Sequence, residues 1–105
     1  MIVTDIVKID KKKSFIYVDY EQRFSLYISE IRKFDLSIGN EICDTDYKKI
    51  MEEILPKRCR ERALYILKDS DKTEKDLISK LVSGGYPIII VNNTINRLRE
   101  YNYVN

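Results

Sequence analysis

The chain has 105 residues, 44% hydrophobic and 34% charged, with a formal net charge of +2. That balance fits one soluble globular domain, or two very small units sharing an interface, and argues against disorder. The longest apolar run, Ile88-Ile89-Ile90-Val91, is far short of the roughly 20 residues that span a bilayer. Met1 to Asp10 lacks the apolar stretch of a signal peptide, so the expected place is the cytoplasm, with no membrane partner.

The first third reads as strands. Ile2, Thr4 and Ile6 alternate, as do Phe15/Tyr17 against Ile16/Val18 and Phe24/Leu26/Ile28 against Arg23/Ser25/Tyr27. Period-two alternation rich in β-branched and aromatic residues is the signature of a half-buried strand. Asp10-Lys11-Lys12-Lys13 and Asp19-Tyr20-Glu21-Gln22 are polar enough to be hairpin connections, which predicts a three-stranded antiparallel meander. Such a sheet is marginal alone and needs a cover for its apolar face.

After Ile28 the pattern changes. Ser29 to Leu36 can form one or two helical turns, and Ser37-Ile38-Gly39-Asn40 supplies a turn. Asp44 or Thr45 then offers an N-cap, and Tyr47, Ile50, Met51, Ile54 and Leu55 follow at helical spacing. Pro56, lacking an N–H, marks a helix boundary or a kink that starts the next helix.

Three helices are predicted beyond it. Cys59, Ala63, Leu64, Ile66 and Leu67 give the first an apolar stripe, and Asp69-Ser70-Asp71-Lys72 breaks it. Thr73, with Asp76 three residues on, caps the second, whose inner face is Leu77, Ile78, Leu81 and Val82. Gly84-Gly85 ends it. The third starts at Pro87, with Ile88, Val91, Ile95 and Leu98 inward, although Ile88-Ile89-Ile90-Val91 is also β-prone. Short links make the three helices neighbours, with Leu67, Leu81 and Leu98 in a common core. The fold class is therefore α+β, divided into a β-rich part over 1–43 and a helical part over 44–105.

The chemistry available is narrow. Histidine is absent, which removes the commonest zinc ligand and the commonest general base. Cys43 and Cys59, the only cysteines, are expected to be free buried thiols, and neither has an evident base. Gly84-Gly85 follows a helix and has no Lys-Ser/Thr after it, so no phosphate-binding loop is present. Glu52-Glu53 point about 100° apart on a helix, and Asp44, Asp46 and Glu53 lack the spacing of a calcium loop. No catalytic residues, metal or cofactor are expected, and the chain reads as a binding module.

Charge is unevenly placed. Residues 1–43 hold seven cations and seven anions, so the excess lies in 44–105. Lys57, Arg58, Arg60, Arg62 and Lys68 face a single acid, Glu61, in one short stretch. A local excess of this kind attracts phosphate or an acidic protein face, although it also suits a solvated helix. The eight tyrosines admit stacking on nucleic acid, with Arg97 and Arg99 flanking a possible aromatic surface, but most fit the edge of a core.

Taken together, Arg62-Ala63-Leu64 … Leu67, Lys72-Thr73-Glu74-Lys75-Asp76-Leu77 … Leu81, Gly84-Gly85-Tyr86, Ile95 … Leu98 and Tyr103-Val104-Asn105 resemble one three-helix repeat of RecX proteins. The repeat spans about 57–105, and the preceding strands resemble the β-rich N-terminal extension of Gram-positive members. Asn102 stands where the family has Gly, though Asn tolerates left-handed geometry. Lys72 replaces the commoner Arg. Family members carry three repeats where this chain has one, so it resembles an N-terminal fragment.

The resemblance implies a regulator that binds the RecA–DNA filament and inhibits recombinase activity, in recombinational repair and the SOS response. Charge clustering, not a family motif, selects Arg58, Arg60, Arg62, Lys68, Lys72 and Lys75, with Arg97 and Arg99, as the candidate partner-binding residues. The alternative is a helical module that binds single- or double-stranded DNA directly. A monomer is expected.

Overall fold

The computed structural model describes residues 1–69 and 72–103. The expected break at Ser70-Asp71 and the closing Val104-Asn105 lie outside them. The fold is α+β, and its backbone divides into two compact units, Met1–Lys49 and Ile50–Asn105.

In the first unit, β1 (Val3–Lys8), β2 (Lys13–Val18) and β3 (Glu21–Tyr27) form an antiparallel sheet in that order. Ser14, Ile16 and Val18 of β2 point inward and pair with Leu26, Phe24 and Glu21 of β3. The β1–β2 link is held by Asp10, whose Oδ1 accepts the amides of Lys12 at 2.8 Å and Lys13 at 2.9 Å. Those amide bonds, led by Lys12, hold the Asp10 carboxyl below the usual carboxylate range.

Two bulges reset the faces. One between Val3 and Asp5 buries Val3, leaves Ile6 half-buried and exposes Ile2, so the simple Ile2/Thr4/Ile6 alternation does not hold. An extra residue on one strand moves every side chain beyond it to the other face. The second bulge sets Arg23 out of register, because Ile16 pairs with Phe24 while Tyr17 pairs with Gln22.

The β2–β3 turn has two central residues, Asp19 (φ +50°) and Tyr20 (φ +66°), the geometry of a type I′ hairpin. Asp19 Oδ1 accepts the Ile2 amide at 3.0 Å, and Thr4 Oγ1 accepts that of Tyr20 at 2.9 Å. Tyrosine resists positive φ, and Tyr20 is 88% exposed, so its side chain offsets little of the strain. Tyr20→Gly should therefore raise stability by about 1 kcal/mol, the net of relieved strain and glycine's lost freedom. A thermal melt unchanged or lowered by the substitution would refute this.

Ile28 opens helix α1 (Ile28–Lys33) instead of closing β3. Glu30 Oε1 accepts the Tyr27 amide at 2.8 Å, which caps the start. Asp35 (φ +52°) closes α1, with the Leu36 amide donating to the Ile31 carbonyl and that of Asp35 to Arg32. This pair of bonds is a Schellman ending. The following segment runs along the free edge of β1: Gly39 donates to the Val3 carbonyl, Val3 to that of Asn40, and Ile42 to that of Met1. Gly39 (φ +95°) provides the bend. Cys43 is exposed, contrary to the expectation of burial, because it lies outside the helix that follows. Helix α2 (Asp44–Lys49) starts at Asp44 itself, so that residue is the first helical one and not the cap. Its Tyr47 ring sits 6.1 Å from that of Phe24 in the sheet core.

In the second unit, a π-helical turn (Ile50–Ile54) leads into α3 (Leu55–Asp69), followed by α4 (Glu74–Ser83) and α5 (Ile88–Glu100). The π turn stands directly before Pro56, whose missing N–H and ring would otherwise interrupt an α-helical ladder. Thr73 caps α4 as expected, its Oγ1 accepting the Asp76 amide at 3.1 Å. Gly85 (φ +94°) ends α4 in a Schellman motif, with Tyr86 donating to Leu81 and Gly85 to Val82. Asn102 (φ +61°) closes α5 in the same way, with Tyr103 donating to Leu98, so asparagine takes the left-handed position.

All three helices pack on one another. Cys59 and Ala63 of α3, Leu77 and Leu81 of α4, and Val91, Ile95 and Leu98 of α5 form the core. Six expected inward residues lie elsewhere: Ile66, Leu67 and Ile78 are only half-buried, and Leu64, Val82 and Ile88 are exposed. In α5 the inward positions are Ile90 and Thr94 in addition to Val91, Ile95 and Leu98. The Thr94 hydroxyl is satisfied by donating to the Ile90 carbonyl at 2.9 Å.

Candidate partner-binding surface

The cations of the second unit do not form one patch. Successive helical residues lie about 100° apart, so the neighbours in Lys57–Arg62 fan around α3. Arg62 is exposed and stacks its guanidinium 5.2 Å from the centre of the Tyr65 ring, one turn on. Arg58 is half-buried and Lys68 exposed. Lys72 is half-buried just before the Thr73 cap, and Lys75 is exposed in the first turn of α4.

Arg99 has an internal role. Its Nε donates to Glu74 Oε2 at 2.9 Å, its Nη2 donates to Glu74 Oε1, and Nη1 donates to Asn96 at 2.8 Å. The Arg99 guanidinium holds the Glu74 carboxyl below its usual range. This fork joins the start of α4 to the end of α5, so Arg99 is already engaged within the chain.

Arg60 and Arg97 do come together, across the groove between α3 and α5. Two cavities share them and Thr94. One, of about 480 Å³, is lined further by Met51, Pro56, Ile89 and Ile90. The other, of about 380 Å³, adds Lys57, Leu64, Tyr101 and Tyr103. Leu64, Ile89, Tyr101 and Tyr103 are all exposed. An apolar floor with a cationic rim suits an amphipathic segment carrying acids. Glu52 and Glu61 temper the charge at either end.

Cys59 is buried against α5, and loss of hydration pushes its thiol up in pKa, with Thr94 opposing. No group of three or more potential metal ligands occurs among the described residues, and none of their helices is long and apolar enough to cross a membrane.

Comparison with known proteins gives this surface its context. No protein-family model matches the chain. A regulatory protein RecX of Clostridioides difficile is 32% identical over 105 residues, covering 95% of this chain and 49% of that protein. That of Clostridium beijerinckii is 30% identical over 101 residues, covering 96% and 47%. The chain is similar to the RecX regulatory proteins over nearly its whole length. A RecX crystal structure has the same fold with a TM-score of 0.52 at 23% identity, matched over 99% of this chain and 52% of the other. The chain thus spans about half the length of the RecX proteins it matches. Those relatives are named as regulatory proteins and not as enzymes. The two-sided groove of α3 and α5 has no signal in the sequence. Only the pairing of those helices brings Arg60 and Arg97, far apart along the chain, to one place.

Proposed function

We propose that the chain takes part in regulating the RecA recombinase by binding the RecA–DNA filament, as a monomer in the cytoplasm. The observation that carries this reading is the match to RecX regulatory proteins over at least 95% of the chain. The cationic rim around the α3–α5 groove supports it, because a recombinase filament offers acidic side chains and phosphates side by side. In this reading Arg58, Arg60, Arg62 and Arg97 make the main contacts, Lys68, Lys72 and Lys75 lie at the edge, and Arg99 keeps its partner Glu74.

The test is co-sedimentation of the chain with filaments in which RecA saturates single-stranded DNA, together with the ATPase rate of those filaments. The chain should pellet with the filament, and its effect on hydrolysis should be weak beside that of a RecX protein of twice its length. Reversing Arg58, Arg60 and Arg62 to Glu should weaken binding about tenfold or more, since like-charge contacts replace attractive ones. Unchanged binding by the reversed chain would sink the assignment of those residues. Binding to naked duplex with a steep salt dependence, and none to the filament, would favour direct DNA recognition instead.

A further inference from the structure

The sheet of the first unit has a second face that its core does not use. Antiparallel strands with one buried face ordinarily turn polar residues outward. Here the outward residues of β2 are Lys13, Phe15 and Tyr17, all partly accessible. Across the ladder, Lys13 pairs with Tyr27 and Phe15 with Ser25 on β3, while Phe15 pairs with Val7 on β1. Val7 is 40% and Tyr27 39% exposed. Three aromatic rings therefore share one face of a three-stranded sheet.

One end of that face is strongly basic. Lys11 and Lys12 are exposed in the β1–β2 link, next to Lys13. The only acid in that link is Asp10, and its carboxylate is occupied by the link's own amides. Ile28 donates to the Lys12 carbonyl at 2.9 Å, which fixes the link against the end of β3. A cavity of about 290 Å³ lies there, lined by Lys11, Lys12, Tyr27, Ile28 and Ser29. A cationic mouth and an aromatic wall thus meet in one concavity. At the opposite end the Tyr17 hydroxyl donates to Gln22 at 3.2 Å, and Asp5 stands across from Tyr17.

We infer that this face is a binding site for single-stranded nucleic acid, with Lys11, Lys12 and Lys13 on the phosphates and Tyr27, Phe15 and Tyr17 offering rings to successive bases. Bases present a π-face whatever their identity, and a single strand leaves those faces open, whereas a duplex hides them. An acidic protein segment would satisfy the lysines but leave the rings without use. The polar groups on this face are engaged or buried, Tyr17 with Gln22 and Ser25 at 1% exposure, so little remains to read base edges or a ribose hydroxyl. Binding is accordingly indifferent to sequence and to sugar. The inference does not rest on the recombinase reading, and its residues are none of those assigned to the filament.

The test is fluorescence anisotropy of labelled oligothymidylate and oligouridylate with the 105-residue chain over a range of salt. Both strands should bind saturably and within about threefold of each other, and more tightly than a duplex of equal length. Lys11→Glu with Lys12→Glu should weaken binding about tenfold or more at low salt. The slope of log affinity on log salt should fall by about 1.4, near 0.7 for each phosphate no longer neutralised. Tyr27→Leu, which keeps an apolar side chain but removes the ring, should weaken binding about fivefold or more with the slope unchanged. Circular dichroism confirms that each variant folds, and all three sites are exposed. The inference fails if the chain binds no single strand at low salt, if duplex binds better, or if polyglutamate displaces the strand equally well. It fails too if Arg60→Glu with Arg97→Glu abolishes binding while the hairpin and Tyr27 variants bind normally.

Discussion

Phe24→Ala is expected to destabilise the chain by about 3–5 kcal/mol, the range for truncating a buried aromatic. Phe24 has no exposed surface, pairs with Ile16 across the sheet and meets the Tyr47 ring. Its loss opens a void that neither the sheet nor α2 can close without breaking ladder bonds, and a chain of this length has only about 5–15 kcal/mol in total. Urea titration followed by circular dichroism measures the effect. Phe24→Leu, which keeps most of the volume, should lose much less, below about 1.5 kcal/mol. Equal losses for the two variants would show that the ring fills no closed site.

In the helical unit, Leu81→Ala should cost about 2–5 kcal/mol, while Val82→Ala, its chain neighbour, should change stability by no more than about 0.5 kcal/mol. The contrast follows from the direction of each side chain. Leu81 is fully buried on the side of α4 that meets α3 and α5, and Val82 is 41% exposed. Both look alike in sequence, so the pair tests the face assignment itself. Chemical denaturation of the two variants side by side decides it, and comparable losses would mean that α4 is rotated from the orientation described.

These two positions show how far sequence reasoning reaches and where it stops. The strands are legible because Phe15 to Val18 and Arg23 to Tyr27 alternate, and α4 because Thr73 and Gly85 mark its ends. Alternation alone does not say which face of β2 is buried, since Phe15 and Tyr17 are as apolar as Ile16 and Val18. In β1 a bulge puts Val3 inside where the alternation favours Ile2 and Thr4. Bulges are set by the partner strand and leave no clear local mark. In α5 the run Ile88-Ile89-Ile90-Val91 has no polar member to fix the helical phase. Spacing alone points Ile88 inward, and the structure turns Ile90 inward and Ile88 outward.

The candidate surface is less legible for a related reason. A cluster along the chain says how much charge is present but not which side of a helix carries it. Arg58, Arg60 and Arg62 form one group in sequence, yet Arg60 joins Arg97 in a groove while Arg62 covers Tyr65. Arg99 has the sequence setting of a contact residue and is held by Glu74, a pairing between residues 25 positions apart that no local pattern announces.

The strip from Gly39 to Ile42 along β1 has a dynamic consequence. Within the sheet every other pairing joins chain neighbours through a few-residue link, so those closures restrict little freedom. The strip returns to Met1 and Val3 only after the chain has passed through three strands and a helix, and it is held by a handful of amide bonds, with Gly39, Asn40 and Glu41 exposed and Ile42 buried at its end. Long closure with few contacts favours local opening of its exposed part, Gly39 to Glu41. When it lifts, the edge of β1 is bared, and the sheet then offers a row of unsatisfied amides to which another extended strand could add.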